Sequence, residues 1–136
     1  MSGISDKYLS GLELEGPASP DAIAGAVQAL GVELPHDYLE FIKQHNGAEG
    51  FVGDHSYLQL WPVQTIAPRN AAYCVARFAP GLIIIGANGG EMAYAYDTRD
   101  PAMPIIEVPF IPMELEQVSH CAGDLGFFLK YLYHIK

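Results

Sequence analysis

The stretch from Leu82 to Asp97, LIIIGANGGEMAYAYD, constrains the fold more than any other part of this chain. Leu82–Ile85 is a continuous run of branched apolar residues, and Met92–Asp97 alternates with the two-residue period of a β-strand. The intervening Gly86–Gly90 supplies Asn and Gly, which adopt the backbone angles of a tight turn without strain. The stretch therefore predicts a β-hairpin. Because Leu82–Ile85 is apolar at every position, we expect a central strand covered on both faces.

Two short helices are predicted before this hairpin. The first begins at Ser19, whose side chain can accept from free backbone amides, and ends at Gly31, which suits the left-handed residue after a helix. The second runs from Pro35, a residue favoured in the first turn, to about His45. Together they form a helical hairpin.

Two further strands are predicted, Tyr57–Trp61 and Pro104–Phe110, and Pro109 indicates that the second is an edge strand or contains a bulge. The Gly-rich stretch at residues 48–56 is typical of an exposed loop. Thr98–Met103 predicts a polar turn. Residues 63–79 leave helix and loop open, because Pro68 would begin or break a helix there.

A closing helix is predicted after Asp124, a plausible cap, with apolar residues at helical spacing. These are Leu125, Phe128, Leu129 and Leu132. Helices, then strands, then a final helix indicate an α+β fold, with a mainly antiparallel sheet on which N-terminal helices and a C-terminal helix pack. We expect one domain over residues 1–136, in which residues 1–18 show no clear pattern beyond a short turn or strand.

Composition excludes several classes of partner. Sixteen Asp and Glu against seven Lys and Arg give a formal charge of -9, which repels nucleic acid and anionic membranes. The same acidity either attracts a basic protein or only keeps the chain soluble. No export signal is visible, so a cytoplasmic location is expected, with Cys74 and Cys121 as reduced, small core residues.

No motif of an enzyme is present. The chain lacks a G-x-S-x-G elbow, and the glycines at 86–90 precede a strand, whereas a phosphate loop opens a helix. His45, Glu49, Asp54 and His55 carry metal-binding atoms, but their spacing matches no standard ligand motif. We therefore predict no catalytic residue, no metal and no cofactor.

The candidate binding residues fall into two groups. Acidic side chains in the Glu49–Tyr57 loop and in the turns at 88–91 and 97–100 form the predicted partner-binding surface. They are Glu49, Asp54, Glu91, Asp97 and Asp100. Trp61, Tyr94 and Tyr96 are the lining of a predicted pocket, since such side chains anchor many interfaces, although their pattern fits a core equally well.

The order of motifs resembles the SUKH superfamily, also called the Smi/Knr-like domain. Leu34–Ile42, LPHDYLEFI, followed by His45-Asn46-Gly47, is similar to its LP-x-D-Y-x-x-F signature. The central hairpin resembles the family's I-G-x-x-G-G … Y-x-x-D segment. Further similar segments are Asn70 with Tyr73, Ile105–Pro109 and the helix at 122–132. The resemblance runs in order from about residue 20 to residue 135.

This resemblance implies a sheet between N-terminal helices and a C-terminal helix, and no established enzymatic activity. Many bacterial members are immunity proteins that neutralise toxins, often nucleases, and fungal members regulate cell-wall assembly through protein contacts. The expected function is thus a non-enzymatic immunity-type module whose acidic surface binds a basic toxin domain. The alternative is a small-molecule or peptide-sensing domain with a pocket near Trp61, Tyr94 and Tyr96. Gly47, Gly86, Gly90 and Pro35 are interpreted as structural.

Overall fold

The computed structural model describes residues 4–136, and residues 1–3 of the predicted domain lie outside that range. The described chain forms a seven-stranded sheet with six α-helices and one 3-10 helix at Leu115–Gln117. The strands are β1 (Leu12–Leu14), β2 (Ala48–Val52), β3 (Ser56–Leu60), β4 (Leu82–Ala87), β5 (Met92–Asp97), β6 (Ile105–Pro109) and β7 (Ser119–Ala122). The helices are α1 (Asp6–Leu9), α2 (Pro20–Leu30), α3 (His36–Ile42), α4 (Val63–Ala72), α5 (Val75–Phe78) and α6 (Leu125–Tyr133). The predicted α+β class is confirmed.

The sheet is an antiparallel meander in which the strands lie side by side in chain order, from β1 to β7. The predicted central hairpin is confirmed as β4 and β5, which pair from Leu82 opposite Asp97 to Ala87 opposite Ala93. All six residues of β4 are buried, as expected for a strand with cover on both faces.

Helices provide that cover in two groups. Tyr94 and Tyr96 point to one face of β5, where their rings pack against Phe128 of α6 and Tyr38 of α3. On the opposite face, α4 and α5 contact β4, and α2 contacts α4. None of the helices described has the length and apolar character needed to span a bilayer.

The predicted helix caps are confirmed. The Ser19 hydroxyl accepts from the Ala22 amide at 3.0 Å, and Gly31 ends α2 with a φ of 72°. The Asp124 carboxylate accepts from the Phe127 amide at 2.8 Å. In contrast, α3 ends at Ile42 rather than near His45, and the chain turns away where the Asn46 amide donates to the Gly16 carbonyl at 2.7 Å.

The prediction of a loop at residues 48–56 is wrong. Residues Ala48–Val52 form β2, and only Gly53, Asp54 and His55 make the turn into β3. Gly50 is required by a close strand approach rather than by a loop, because a Cβ there would lie 2.3 Å from the Gly11 carbonyl oxygen. The glycine content of residues 48–56 therefore concealed strand β2 from sequence reasoning.

Strand β6 is not an edge strand, because it pairs with β5 on one side and β7 on the other, but it does contain the irregularity that was the alternative prediction. A register shift does occur in β6, but between Ile105 and Ile106 rather than at Pro109. Strand β7 pairs with β6 only as far as Glu107, so no partner strand on that side needs an amide hydrogen at Pro109.

The open stretch at 63–79 is helical, and α4 continues through Pro68. Asn46 accepts from the Val63 amide at 2.7 Å and anchors the start of α4. Near its end, the Asn70 side chain bonds to both the amide and the carbonyl of Ile84 in β4. These anchors hold the helix although proline removes one of its hydrogen bonds.

Candidate functional site

Strands β1, β2 and β3 present polar and aromatic side chains on the face opposite α6. The pairing places Glu13 of β1 opposite Glu49 of β2, Glu49 opposite Gln59 of β3, and Phe51 opposite Tyr57. Opposite residues in paired strands share a face, so these five side chains form one continuous surface. We call Glu13, Glu49, Phe51, Tyr57 and Gln59 the acidic strand face.

The alternation of β3 explains why this face is exposed. Ser56, Leu58 and Leu60 are buried on the side of α6, where the Ser56 hydroxyl donates to the Leu132 carbonyl at 2.7 Å. The intervening Tyr57 and Gln59 must then point to the opposite side, since side chains alternate along a strand. The exposed face is thus a consequence of how α6 buries the other one.

Glu49 is held in a fixed position within this face. Its carboxylate accepts hydrogen bonds from the Tyr57 hydroxyl and, at 3.2 Å, from the Gln59 side-chain amide. These bonds favour the charged carboxylate, so the pKa of Glu49 is lowered, chiefly by Tyr57. The same contact raises the pKa of Tyr57. The negative charge is therefore present and oriented at neutral pH.

Aromatic surface lies beside this charge. Phe51 is 51% exposed. Its ring packs edge-on against that of Tyr57, with 5.2 Å between the ring centroids. A carboxylate fixed next to exposed aromatic rings is suited to contact a protein partner that carries basic and apolar side chains.

Three of the predicted acidic residues lie on or near this face. Glu49 belongs to it, and exposed Asp54 lies in the turn that joins β2 and β3. The turn containing Glu91 reaches the same region, because a Cβ at Gly89 would lie 2.7 Å from the Tyr57 ring. Asp54 and Glu91 thus lie in turns that border this face, while Glu49 lies near the start of β2, at the end away from Asp54.

Asp97 and Asp100 lie elsewhere. Asp97 is the last residue of β5 and Asp100 follows it, at the end opposite Glu91, and six strand residues correspond to about 20 Å. Asp97 is only 8% exposed and accepts from the backbone amide and the guanidinium of Arg99. The side-chain bond from Arg99 holds the pKa of Asp97 below its usual range. Asp100 is exposed and caps the turn by accepting from the Ala102 amide at 2.9 Å.

The three aromatic residues of the predicted pocket are packed in two different places. Tyr94 and Tyr96 are 5% and 0% exposed, and their rings pack against α6 and α3. The Trp61 ring instead stacks against Tyr73, which follows α4, at 6.2 Å. The structure therefore does not bring Trp61 into contact with the rings of the two tyrosines.

The remaining candidate groups are dispersed. Within residues 4–136, no three His, Cys, Asp or Glu side chains are arranged to hold a metal ion. His45 packs on the Phe41 ring, with its Nδ1 3.2 Å from the Glu15 carbonyl oxygen. Both cysteines are free thiols. Cys121 is buried as expected, and burial raises its pKa to about 12, but the prediction that Cys74 is a core residue is wrong because it is exposed.

Sequence reasoning missed most of the acidic strand face. The prediction named only the acidic residues of the Glu49–Tyr57 loop and so left out Phe51 and Tyr57. Glu13 lies in a stretch that showed no clear pattern, and Gln59 lies in a predicted strand whose pairing was unknown.

The sequence did contain a signal for this strand. Glu49 and Phe51 are two residues apart, as on one face of a strand, and Ala48 and Val52 fit the other face, but Gly50 between them obscures the alternation of strand β2.

Comparisons with known proteins agree with this architecture. Residues 17–130 match the model of the SMI1 / KNR4 family (SUKH-1). One similar protein is the uncharacterized protein YnaB of Bacillus subtilis (strain 168), which is 40% identical over 83 residues. That match covers 61% of this chain and 52% of YnaB, so the chain spans about half the length of this curated relative.

Proposed function

Since the chain belongs to the SMI1 / KNR4 family (SUKH-1), we propose that it is a non-enzymatic, immunity-type protein that binds a basic toxin domain through its acidic strand face. The family includes immunity proteins that bind protein toxins. In this role the protein neutralises its partner by covering the surface with which that toxin binds its own substrate.

The observation that carries this proposal is the fixed Glu49 carboxylate beside the exposed Phe51 ring. Interfaces take most of their affinity from a few aromatic or charged anchors that lose contact with water on binding. Phe51 provides the apolar anchor, and Glu49, held by Tyr57 and Gln59, provides a charge that needs no reorganisation. A basic nucleic-acid cleft of a nuclease toxin has the complementary chemistry.

The net charge of -9 adds a long-range contribution to this binding. Charge complementarity speeds the encounter of two proteins, and salt weakens it by screening. We propose Asp54 and Glu91 as the rim of the interface, because their turns border the acidic strand face. Asp97 and Asp100 form a separate acidic turn, whose contribution is tested with the variant Asp100→Lys.

The test uses the inactivated product of a toxin-like gene adjacent to the gene for this protein. Its affinity is measured by calorimetry for the wild type and for Glu13→Lys/Glu49→Lys, at low and moderate salt. The matched control is Glu33→Lys/Glu116→Lys, which changes two exposed carboxylates elsewhere and alters the net charge equally. A third variant, Asp100→Lys, tests the separate turn.

We expect the strand-face variant to weaken binding by about a hundredfold and to reduce its salt dependence. The control should change the affinity by about threefold or less, since it affects only long-range attraction. If both double variants weakened binding equally, the effect would come from net charge alone, and the acidic strand face would not be the interface. Unchanged binding of the strand-face variant would also contradict the proposal. Loss of binding only in Asp100→Lys would move the interface to the other end of β5.

A further inference from the structure

The charges of this chain are unevenly distributed. All sixteen Asp and Glu residues lie outside residues 55–90, a segment that contains Arg69 and Arg77 but no carboxylate. This segment includes α4 and α5. The segment that contains α4 and α5 therefore carries positive charge and no carboxylate of its own.

This part of the molecule also exposes apolar surface. A groove of about 480 Å³ lies between the end of α4, α5 and the segment after β6. Its lining includes Tyr73, Phe78 and Ile111, which are 43%, 53% and 91% exposed, together with Phe110 and Met113. We call these five residues the α5 groove. Aromatic and aliphatic side chains concentrated in an open concave site are typical of peptide-binding surfaces.

Arg69 and Arg77 pack on aromatic rings next to this groove, although neither lines it. The Arg69 guanidinium lies 4.7 Å from the centroid of the Trp61 ring, and Trp61 in turn stacks on Tyr73. The Arg77 guanidinium lies 5.5 Å from the centroid of the Phe78 ring. Both arginines are exposed, and neither forms an ion pair with the described part of the chain. Guanidinium groups oriented on aromatic rings keep their hydrogen-bond donors free for a carboxylate.

We propose that the α5 groove binds a peptide segment of a partner protein that carries both apolar and acidic side chains. The apolar side chains lie against Phe78 and Ile111, and the carboxylates pair with Arg69 and Arg77. Glu114 lines the other side of the groove, so the acidic residues of the peptide lie towards α4 and α5. This site is independent of the acidic strand face, whose proposed partner has the opposite charge.

The positive charges of Arg69 and Arg77 favour an acidic peptide over a basic one at this site. The whole chain repels an acidic peptide, so any binding of such a peptide must come from a local contact rather than from net charge. At the edge of the groove, beside Tyr73 and Phe78, bidentate arginine–carboxylate pairs add both strength and orientation to apolar contact.

The experiment selects from a library of random twelve-residue peptides displayed on phage against the full-length protein. The peptides that bind are synthesised with a fluorescent label, and their affinities are measured by anisotropy. They are compared on the wild type, on Arg69→Gln/Arg77→Gln and on Phe78→Ser. Lys130→Gln/Lys136→Gln is the matched control, because it removes two exposed positive charges elsewhere. Circular dichroism establishes that each variant is folded, as expected for exposed positions.

We expect the selected peptides to combine Asp or Glu with Leu, Phe or Trp and to bind both groove variants at least about tenfold more weakly than the control. Selection of basic peptides, equal affinity for groove variants and control, or failure to enrich any peptide would overturn the proposal. Sedimentation of the wild type and of Ile111→Ser provides a further test. A dimer that Ile111→Ser dissociates would assign the groove to a second copy of the chain and would contradict a foreign peptide.

Discussion

At the scale of single residues, Glu49 shows how neighbouring strands fix an exposed charge. Its hydrogen-bond partners, Tyr57 and Gln59, lie on β3, directly across the pairing from β2. Neither partner is charged, so the carboxylate keeps its full charge for a binding partner. The geometry of the acidic strand face therefore depends on neutral hydrogen bonds that salt does not screen.

Replacement of Tyr57 by Phe should raise the pKa of Glu49 towards its ordinary value, because the largest cause of its depression is removed. A carboxylate whose pKa is lower in the folded protein than in the unfolded chain stabilises the fold at pH values above the pKa of the unfolded chain. This stabilisation is lost as the pH falls through the pKa of the folded protein. Tyr57→Phe should therefore lose less stability on acidification than the wild type. Carbon-13 NMR titration of the Glu49 carboxyl measures the pKa, and urea unfolding at several pH values measures stability.

Tyr131→Phe is the control for this titration, since Tyr131 lies on α6, on the covered side of the sheet. It should leave the titration of Glu49 unchanged. An unaltered Glu49 pKa in Tyr57→Phe would mean that the hydroxyl does not hold the carboxylate in solution.

At the scale of elements, close strand contacts decide where glycine is required. A Cβ at Gly86 of β4 would lie 2.1 Å from the Gln59 carbonyl oxygen of β3. Strands β3 and β4 pair at only two positions, Gln59 with Ala87 and Leu60 with Gly86. Gly25 in α2 has the opposite surroundings, because a Cβ there would meet nothing within 4 Å.

Gly86→Ala should destabilise the protein by about 2 to 3 kcal/mol, since the methyl group forces β3 and β4 apart. The matched Gly25→Ala should stabilise it by about 0.5 to 1 kcal/mol, because alanine loses less backbone entropy in a helix. Urea unfolding measures both changes. Equal stability of Gly86→Ala and wild type would show that the two strands can separate without cost.

The same elements show what sequence could and could not predict. The β4–β5 hairpin was predicted correctly because two strand patterns flank a glycine turn, and α6 because its cap and apolar spacing agree. Strand β2 was missed because Gly50 there serves an approach by β1 from far along the chain. The path of α4 depends likewise on distant anchors, Asn46 and Ile84, which offset the disruptive effect of Pro68.

The candidate site was predicted only in part for the same reason. The acidic composition pointed to Glu49, Asp54 and Glu91, which the fold places around one face. Phe51 and Tyr57 could not be assigned to that face until the register of β2 and β3 was known. Register depends on pairing between strands, which no local pattern contains.

At the scale of the whole molecule, the excess of carboxylates is not offset by internal pairing. Only two ion pairs, Lys43 with Glu40 and Arg99 with Asp97, form among residues 4–136. The folded chain therefore brings many like charges together, which opposes compaction.

Salt should consequently stabilise the unbound protein. Raising NaCl from 0.01 M to 0.1 M shortens the screening length from about 30 Å to about 10 Å and weakens this repulsion. We expect the melting temperature to rise by about 2 to 5 °C, as measured by calorimetry. The increase should be smaller for Glu33→Lys/Glu116→Lys, which has fewer like charges. A melting temperature that falls with salt would mean that attractive charge contacts dominate.

The meander order of the sheet has a consequence for how the chain folds during synthesis. Each strand from β2 to β7 pairs with the strand synthesised before it, so the sheet can grow in chain order, although β1 pairs only after α2 and α3 have been made. Helix α6 follows all seven strands, yet it covers the face that contains Ser56 and Leu58. Until α6 leaves the ribosome, a nascent chain therefore carries an apolar sheet face that α3 covers only in part, and aggregation or chaperone binding competes most strongly with folding in that interval.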